Sequence, residues 1–251
     1  MYNLLISLAV GLAIALAIAL GTSFGWAAAV FPGLVAATAV YVYVAFRIRK
    51  RLEAVNELVQ KELMARRVEK AVQALQGGYA LAPWQFLVGS QLHASVGMLR
   101  YLTDDVDAAL PDLEAGQPRG WIANLVNRDW LSRAILAAAR FRKRDVSGAL
   151  ALMEQAAKVG EKDGLCWSAW AWMLEKEDRH EEAIRVLGRG AAVLPKDEKL
   201  KDSLQALQNG KKLRLWKLYG EQWYQFRLEP PRMETLDPTG GRARRQLFRK
   251  R

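Results

Sequence analysis

The apolar residues of this chain are concentrated at its beginning. Residues 1–46 contain no Lys, Arg, Asp, Glu or His, and every charged residue of the 251-residue chain follows them. Two apolar runs, 4–20 and 26–46, flank the short segment 21–25. A helix needs roughly 20 apolar residues to cross a bilayer core of about 30 Å. The pattern therefore predicts a transmembrane helical hairpin over residues 1–46.

Small residues recur at four-residue spacing in both runs, at Gly11, Ala15, Ala19, Gly33 and Ala37. Small side chains allow two helix backbones to approach closely within lipid. We therefore predict that these positions form the seam of the hairpin. The alternative for the first run is a cleaved signal peptide, but such a peptide begins with basic residues, and the first three residues include none.

The formal net charge of +11 is concentrated in two short clusters. One cluster follows the second apolar run and the other lies in the last ten residues. Lys and Arg that flank membrane spans stay on the cytoplasmic side. The first cluster therefore predicts a multi-pass protein of the inner (cytoplasmic) membrane, with both termini and the soluble domain in the cytoplasm.

Both clusters are suited to anionic lipid head groups. The residues expected to contact lipid are Arg47, Arg49, Lys50, Arg51, Arg244, Arg245 and Arg249. A nucleic-acid-binding protein would usually carry a basic stripe on its folded body, whereas the residues between the two clusters are nearly neutral, so no nucleic-acid partner is expected. The alternative for the C-terminal cluster is a solvated, disordered tail.

Residues 47–78 are predicted to form a basic juxtamembrane amphipathic helix that continues the second span. Its apolar positions follow three- and four-residue steps, with one five-residue slip between Val59 and Met64, and Gly77 and Gly78 end it. We expect the apolar stripe to pack on the folded domain. A homodimeric coiled coil, and hence a homo-oligomer, is the alternative.

Residue types repeat at a spacing of 34 residues farther along the chain. The pairs are Leu136 and Trp170, Ala137 and Ala171, Ala149 and Ala183, and Met153 and Leu187. Segment 164–197 also has Trp167, Leu174 and Pro195. On these residues the chain resembles the tetratricopeptide-repeat (TPR) family over 130–197. The preceding unit departs from the family pattern at Arg140 and Glu161. A weaker unit spans 90–123, with a six-residue insertion, 124–129, after it.

The resemblance implies an all-α fold, in which the hairpin is followed by an α-solenoid of two to three TPR-like helix pairs. The alternative is a helical bundle with a coincidental period. The predicted TPR-like domain covers 79–228. It ends with an aromatic helix, 213–228, that packs either on the last repeat or on the bilayer. Residues 229–251 are predicted to be a disordered basic tail.

A TPR-like domain implies a concave groove that binds another protein. The groove positions implied by the family are Leu131, Ala134, Ala138, Phe141 and Arg142, then Leu165, Ser168, Trp172, Glu175 and Lys176. Among these, the predicted partner-binding residues are Arg142, Trp172 and Lys176, with Phe141 and Glu175 beside them. An aromatic anchor next to two cations suits an acidic or C-terminal peptide.

The sequence contains no recognised catalytic or metal-binding pattern. His93 and His180 have no ligand partner at helical spacing, and the single cysteine, Cys166, excludes both an intramolecular disulfide and a multi-cysteine zinc site. No phosphate-binding glycine loop occurs. We therefore predict no enzymatic activity, no metal and no cofactor.

The sequence predicts a membrane-tethered scaffold or adaptor that binds a protein partner at the cytoplasmic face and assembles a complex there. Two other functions remain open. One is a structural subunit of a larger membrane complex that contacts its partners through the hairpin. The other is an enzyme or regulator that acts at the lipid surface.

Overall fold

A computed structural model describes residues 1–21, 25–118, 120 and 129–230 of the chain. All regular secondary structure in this part of the chain is helical, so the predicted all-α class is confirmed. The chain divides into two compact units, Met1–Ala123 and Asn124–Arg251. The domain boundaries predicted from sequence stay predictions.

The first unit begins with a hairpin of α1 (Tyr2–Gly21) and the long helix α2 (Gly25–Met64). The two backbones approach most closely at Gly11 and Gly33. A Cβ atom added at Gly11 would lie 2.7 Å from the Cβ of Ala37, and one added at Gly33 would lie 2.8 Å from the Cβ of Ala15. The small-residue seam is therefore confirmed at these four positions.

The buried face of α1 continues to its first residues through two polar side chains. The Asn3 side-chain amide donates to the Tyr41 carbonyl at 3.3 Å, and the Ser7 hydroxyl donates to the Asn3 carbonyl at 2.7 Å. The backbone amides of Tyr2 and Asn3 donate to the carbonyls of Pro83 and Trp84, at 2.9 and 3.1 Å. The first N–H groups of a helix have no partner within it, so the loop around Trp84 caps α1.

Helix α2 runs without interruption from the apolar run through the basic cluster to Met64. The prediction of one helix over 47–78 is wrong, because the backbone at Arg66 turns left-handed (φ 57°) and a separate helix, α3 (Val68–Gly77), begins after it. This break is the reason for the five-residue slip, and Met64 is 85% exposed instead of lying on the stripe.

The apolar stripe of α2 and α3 packs within the first unit. The buried cluster comprises Val59, Ala71, Val72, Leu75, Leu81, Val88, Leu92 and Val96. A 3-10 turn (Gly78–Leu81) connects α3 to the helix pair α4 (Val88–Leu102) and α5 (Val106–Ala115). This packing favours the interpretation in which the stripe covers its own domain over a coiled coil.

The second unit contains two further helix pairs and a short-helical end. The helices are α6 (Trp130–Arg142), α7 (Val146–Val159), α8 (Gly164–Lys176), α9 (His180–Val193), α10 (Glu198–Gln208), α11 (Leu215–Tyr219) and α12 (Glu221–Tyr224). The prediction of one helix over 213–228 is wrong, because Gly220 adopts a positive φ of 58° and separates α11 from α12.

The three helix pairs share the same turn. Each turn has one left-handed residue, namely Asp104 (φ 74°), Arg144 (φ 68°) and Asp178 (φ 57°). Forty residues separate the first two and thirty-four the last two. The difference of six matches the predicted insertion, of which residues 124–128 lie outside the described part of the chain. The local geometry therefore supports helical-repeat pairs, including the weak unit 90–123.

Small residues at matching positions of each pair explain why the helices cross closely. Ala109, Ala149 and Ala183 are fully buried. On the partner helices the matching residues are Gly97, Ala137 and Ala171, and a Cβ at Gly97 would lie 2.7 Å from the Leu113 backbone nitrogen. The small residues predicted from the sequence thus lie where the two helices of each pair cross closely.

Candidate partner-binding site

The inner helices α6 and α8 bring the predicted groove residues Phe141 and Trp172 together. Their ring centroids are 6.3 Å apart in an edge-on arrangement. On the other side, the Trp223 ring lies 5.3 Å from that of Trp172. As a result only 3% of Trp172 is exposed. Its role as the partner's anchor stays a prediction, with the condition that Trp223 would first have to move away.

A hydrogen bond also holds the C-terminal residue Tyr219 against the predicted groove position Ser168. The hydroxyls of Ser168 and Tyr219 lie 3.0 Å apart, and both residues are buried. Burial raises the pKa of the Tyr219 phenol, so that hydroxyl keeps its proton. The Trp223 indole N–H donates to the Glu229 carboxylate at 2.9 Å. Of the two alternatives left open for residues 213–228, packing on the last repeat is therefore the one that these contacts favour.

Beside this covered region lies an open cleft of about 760 Å³, which we call the basic cleft. It is enclosed by the end of α8, by α10 and by the segment 211–218. Its charged lining residues are Glu175, Lys176, Asp202, Lys211, Lys212, Arg214, Lys217 and Glu229. Five cations face three carboxylates, so the cleft has an excess of positive charge.

The local sequence explains why so many cations border the cleft. Leu213 and Leu215 are buried and anchor the segment on the repeats, while Lys211, Lys212 and Arg214 are exposed. At the opposite wall, the Lys176 ammonium lies 4.9 Å from the centre of the Trp172 ring, within cation–π range. Lys176 therefore joins the covered groove to the open cleft.

The predicted partner-binding residues fall into three environments. Glu175 and Lys176 line the basic cleft, whereas Phe141 and Trp172 lie under the C-terminal aromatic residues. Arg142, the last residue of α6, is half-buried and is not among the residues that line the cleft. Their role in partner binding stays a prediction.

Sequence reasoning did not find the cations of segment 211–217 as part of a site. The signal was present, because charged and apolar residues alternate there directly after the helix end at Asn209 and Gly210.

The predicted lipid-contacting residues of the first cluster, Arg47, Arg49, Lys50 and Arg51, are all exposed on α2. Arg49 forms an ion pair with Glu53 at 2.9 Å, one helical turn away. The other three predicted residues, Arg244, Arg245 and Arg249, lie outside the described residues. Contact of either cluster with lipid stays a prediction.

A second polar cluster, missed from sequence, lies in the first unit. Asp112 accepts hydrogen bonds from His93 Nδ1 and Arg100, both at 2.8 Å, and the Tyr79 hydroxyl lies 3.3 Å from the same carboxylate. Burial and the Asp112 charge raise the pKa of Tyr79 to about 12. A phenol that keeps its proton is a donor rather than a nucleophile. The cluster therefore joins the 3-10 turn, α4 and α5.

The described residues contain no group of three His, Cys, Asp or Glu side chains arranged to hold a metal ion. Cys166 is fully buried, and burial raises the pKa of its thiol. Since the thiolate is the reactive form, this cysteine is not set up as a nucleophile.

Three solved structures match this chain at low sequence identity. The crystal structure of the MamA protein covers 72% of this chain and 96% of its own, with 13% identity and a TM-score of 0.49. A second MamA crystal structure covers 74% and 97%, with 13% identity and a TM-score of 0.48. The structure MamA MSR-1 C2 covers 70% and 93%, with 15% identity and a TM-score of 0.43.

No protein-family model matches the chain, and no curated protein is significantly similar to it. Because all three TM-scores are below 0.5, the similarities carry no argument about fold or function. The helical-repeat architecture rests on the shared geometry of the three helix pairs.

Proposed function

We propose that this chain is a membrane-tethered helical-repeat scaffold whose basic cleft binds an acidic segment of a partner protein at the cytoplasmic face. The basic cleft is the observation that carries this proposal. Lys176, Lys211, Lys212, Arg214 and Lys217 surround a space large enough for an extended peptide. Positive charge around an open cleft attracts and orients a negatively charged partner.

A purely apolar ligand would find little free apolar surface at the predicted groove. Trp223 and Tyr219 already occupy the groove surface next to Trp172 and Ser168. An incoming peptide therefore meets ammonium and guanidinium groups before it meets aromatic rings. Carboxylate side chains or a C-terminal carboxylate have the complementary chemistry.

The tether is supported by the packing of the hairpin. Helix α1 and the segment Ala28–Met64 of α2 are long and apolar enough to cross a membrane, although length and composition alone are weak support. The stronger support is that small residues face inward and large apolar ones outward. The most exposed include Leu5, Leu12, Leu20, Phe31, Leu34 and Phe46. A soluble helical hairpin has the reverse arrangement, with its large apolar side chains inside. Large apolar side chains on the outside are compatible with surrounding lipid.

The orientation is supported by the same end of the hairpin. Arg47 is the first charged residue after the apolar run, and Asn3 is hydrogen-bonded to Tyr41 nearby. The start of α1 and the basic cluster therefore share one end of the hairpin. Because basic residues stay in the cytoplasm, the proposal places the repeats at the inner face of the cytoplasmic membrane.

The tether is tested by extraction and labelling of the full chain in membranes. The protein should resist extraction by alkaline carbonate. A cysteine introduced as Gly21→Cys should react with an impermeant thiol reagent from outside the cell, and one introduced as Lys201→Cys should not. Release by carbonate contradicts the tether, and the reverse labelling pattern contradicts the orientation.

The cleft is tested by binding of a fluorescent glutamate-rich peptide to the full chain in mild detergent, followed by anisotropy. Lys211→Glu/Lys212→Glu should weaken binding at least about tenfold, as expected when charges lining a site are reversed. The control, Lys162→Glu/Lys201→Glu, makes the same charge change at residues that do not line the cleft. Equal loss in both variants would contradict a defined site.

A second function, a subunit that contacts other membrane proteins through the hairpin, is favoured by the same exposed apolar surface. Photo-crosslinking probes at Leu12 and Leu34 distinguish the two functions. Adducts with lipid alone favour a tether, whereas a specific protein adduct favours the subunit.

A further inference from the structure

We infer that the cytoplasmic end of the hairpin contains a site for one anionic phospholipid, whose phosphate binds between Arg47 and Arg51. The inference rests on the proposed membrane tether. It goes beyond a general attraction of the basic cluster to the bilayer, because it selects two of the four cations and adds an apolar surface beside them.

The site is a cleft of about 370 Å³ in the first unit. Its lining residues are Tyr43, Val44, Arg47, Ile48, Arg51, Leu81 and Trp84. The two arginines are one helical turn apart on α2, and every other lining residue is apolar or aromatic. A phospholipid has the same division, with a phosphate at one end and hydrocarbon at the other.

The cleft lies at the boundary between the apolar and the charged part of α2. Tyr43 belongs to the apolar run, while Arg47 is the first charged residue after it. Trp84 comes from the loop that caps α1, and its ring packs edge-on against Tyr2 with centroids 5.8 Å apart. Tyr and Trp are enriched where hydrocarbon meets head groups, so the cleft is at the depth of a lipid phosphate.

Within the described part of the chain, the charges of the two arginines are not paired with a carboxylate. Among the described residues, neither the Arg47 nor the Arg51 guanidinium takes part in an ion pair, whereas Arg49 is paired with Glu53. Like charges one turn apart on a helix repel each other. A phosphate between them removes this repulsion, and a guanidinium binds phosphate through two parallel hydrogen bonds.

Helix α2 also contains a matched control for the two arginines of the cleft. Arg49 and Lys50 lie between the two arginines in sequence but do not line the cleft. Arg47→Gln/Arg51→Gln and Arg49→Gln/Lys50→Gln remove the same charge from the same five residues. A diffuse polybasic surface would be weakened equally by both changes, whereas a built site would be weakened by the first only.

The experiment uses the full chain purified in a mild nonionic detergent, with phosphatidylglycerol or phosphatidylcholine added, and native mass spectrometry to count bound lipids. The original chain and the Arg49→Gln/Lys50→Gln variant should each retain one phosphatidylglycerol. Each cation near an anionic lipid contributes about 1 kcal/mol, so Arg47→Gln/Arg51→Gln should weaken retention about thirtyfold. Trp84→Ala should weaken it as well, without a change of charge.

Equal weakening by the two double variants, equal retention of the two lipids, or full retention by Trp84→Ala would each overturn the site. Carbonate extraction of every variant is measured first. If the original chain is extracted, the tether itself has failed. If it stays in the membrane while the lipid measurements show no preference, the tether stands and only the lipid site is lost.

Discussion

The indole ring of Trp172 lies 5.3 Å from that of Trp223, at an interplanar angle of 62°. One ring belongs to the second helix pair of the C-terminal unit and the other to the last short helix of the chain. This contact closes a groove that a repeat protein would otherwise offer to a partner. The surface on which the TPR resemblance predicts a groove is therefore covered at Trp172 by the chain's own Trp223.

The first prediction concerns the stability that this contact provides. Trp223 is 1% exposed, so Trp223→Ala would remove a large buried ring and leave a cavity. We expect a loss of about 3–5 kcal/mol in the free energy of unfolding. The measurement is chemical unfolding in detergent, followed by near-ultraviolet circular dichroism.

Tyr224→Ala is the control for this change, because the Tyr224 ring is next to Trp223 in the sequence but is only half-buried. It should cost clearly less. If both variants unfold at the same denaturant concentration as the original chain, the aromatic segment does not hold the groove closed.

The second prediction uses two glycines of α9 that are two residues apart. A Cβ at Gly190 would lie 2.7 Å from Cγ of Trp167, whereas a Cβ at Gly188 would meet nothing within 4 Å. Gly190→Ala should therefore destabilise the fold by about 1–3 kcal/mol. Gly188→Ala should stabilise it by about 0.5–1 kcal/mol, because alanine loses less backbone freedom in a helix. Thermal unfolding that shows the same sign for both would mean that α8 and α9 are packed differently.

The third prediction tests the hairpin seam. Gly33→Leu places a large side chain where even a Cβ would lie 2.8 Å from the carbonyl oxygen of Gly11. We expect the two helices to separate, with a lower melting temperature of the full chain in detergent. Ala39→Leu adds the same side chain at an exposed position of the same helix, and should leave the melting temperature nearly unchanged. A loss of similar size in both variants would place the seam elsewhere.

The fourth prediction concerns Cys166, whose pKa is raised first by burial and then by the negative charge of Asp163. The folded chain should not react with a maleimide at pH 8, and reaction should follow unfolding in denaturant. Gln155→Cys, at an exposed position, should react at once. Rapid labelling of Cys166 in the folded chain would contradict its burial.

The raised pKa also sets the direction of a pH dependence. The unfolded chain releases the thiol proton near its ordinary pKa of 9.0, while the folded chain keeps it. The contribution of Cys166 is therefore complete below that pH and declines as the pH rises above it. Cys166→Ala should make the unfolding midpoint less sensitive to pH in the alkaline range.

The sequence predicted those features that depend on periodicity. The close positions Gly11, Gly33, Ala171 and Ala183 were evident because a small residue recurs wherever two helices cross. The continuity of α2 was also predicted, since no helix-breaking residue lies between the apolar run and Met64. Features of this kind follow from the spacing of residues along a helix, so they can be recognised from one sequence.

Features that depend on one backbone angle or on distant residues were not predicted. Helix α2 ends at Met64 and Arg66 follows with a positive φ, although no glycine or proline marks the break. The polar cluster around Asp112 joins side chains from three elements, and nothing in their spacing indicates that they meet. Of the basic cleft, the sequence predicted Glu175 and Lys176 but not the cations of segment 211–217, because these two walls are far apart in the sequence.

The bonds from the amides of Tyr2 and Asn3 to Pro83 and Trp84 have a consequence for how the protein is made. The first residues of the chain are synthesised long before the loop that receives them. Both apolar helices are therefore synthesised before α1 can acquire its cap. Until that loop is synthesised, the first N–H groups of α1 lack the partners that they have in the finished fold. The fold of the hairpin is thus completed by residues that lie outside it in the sequence.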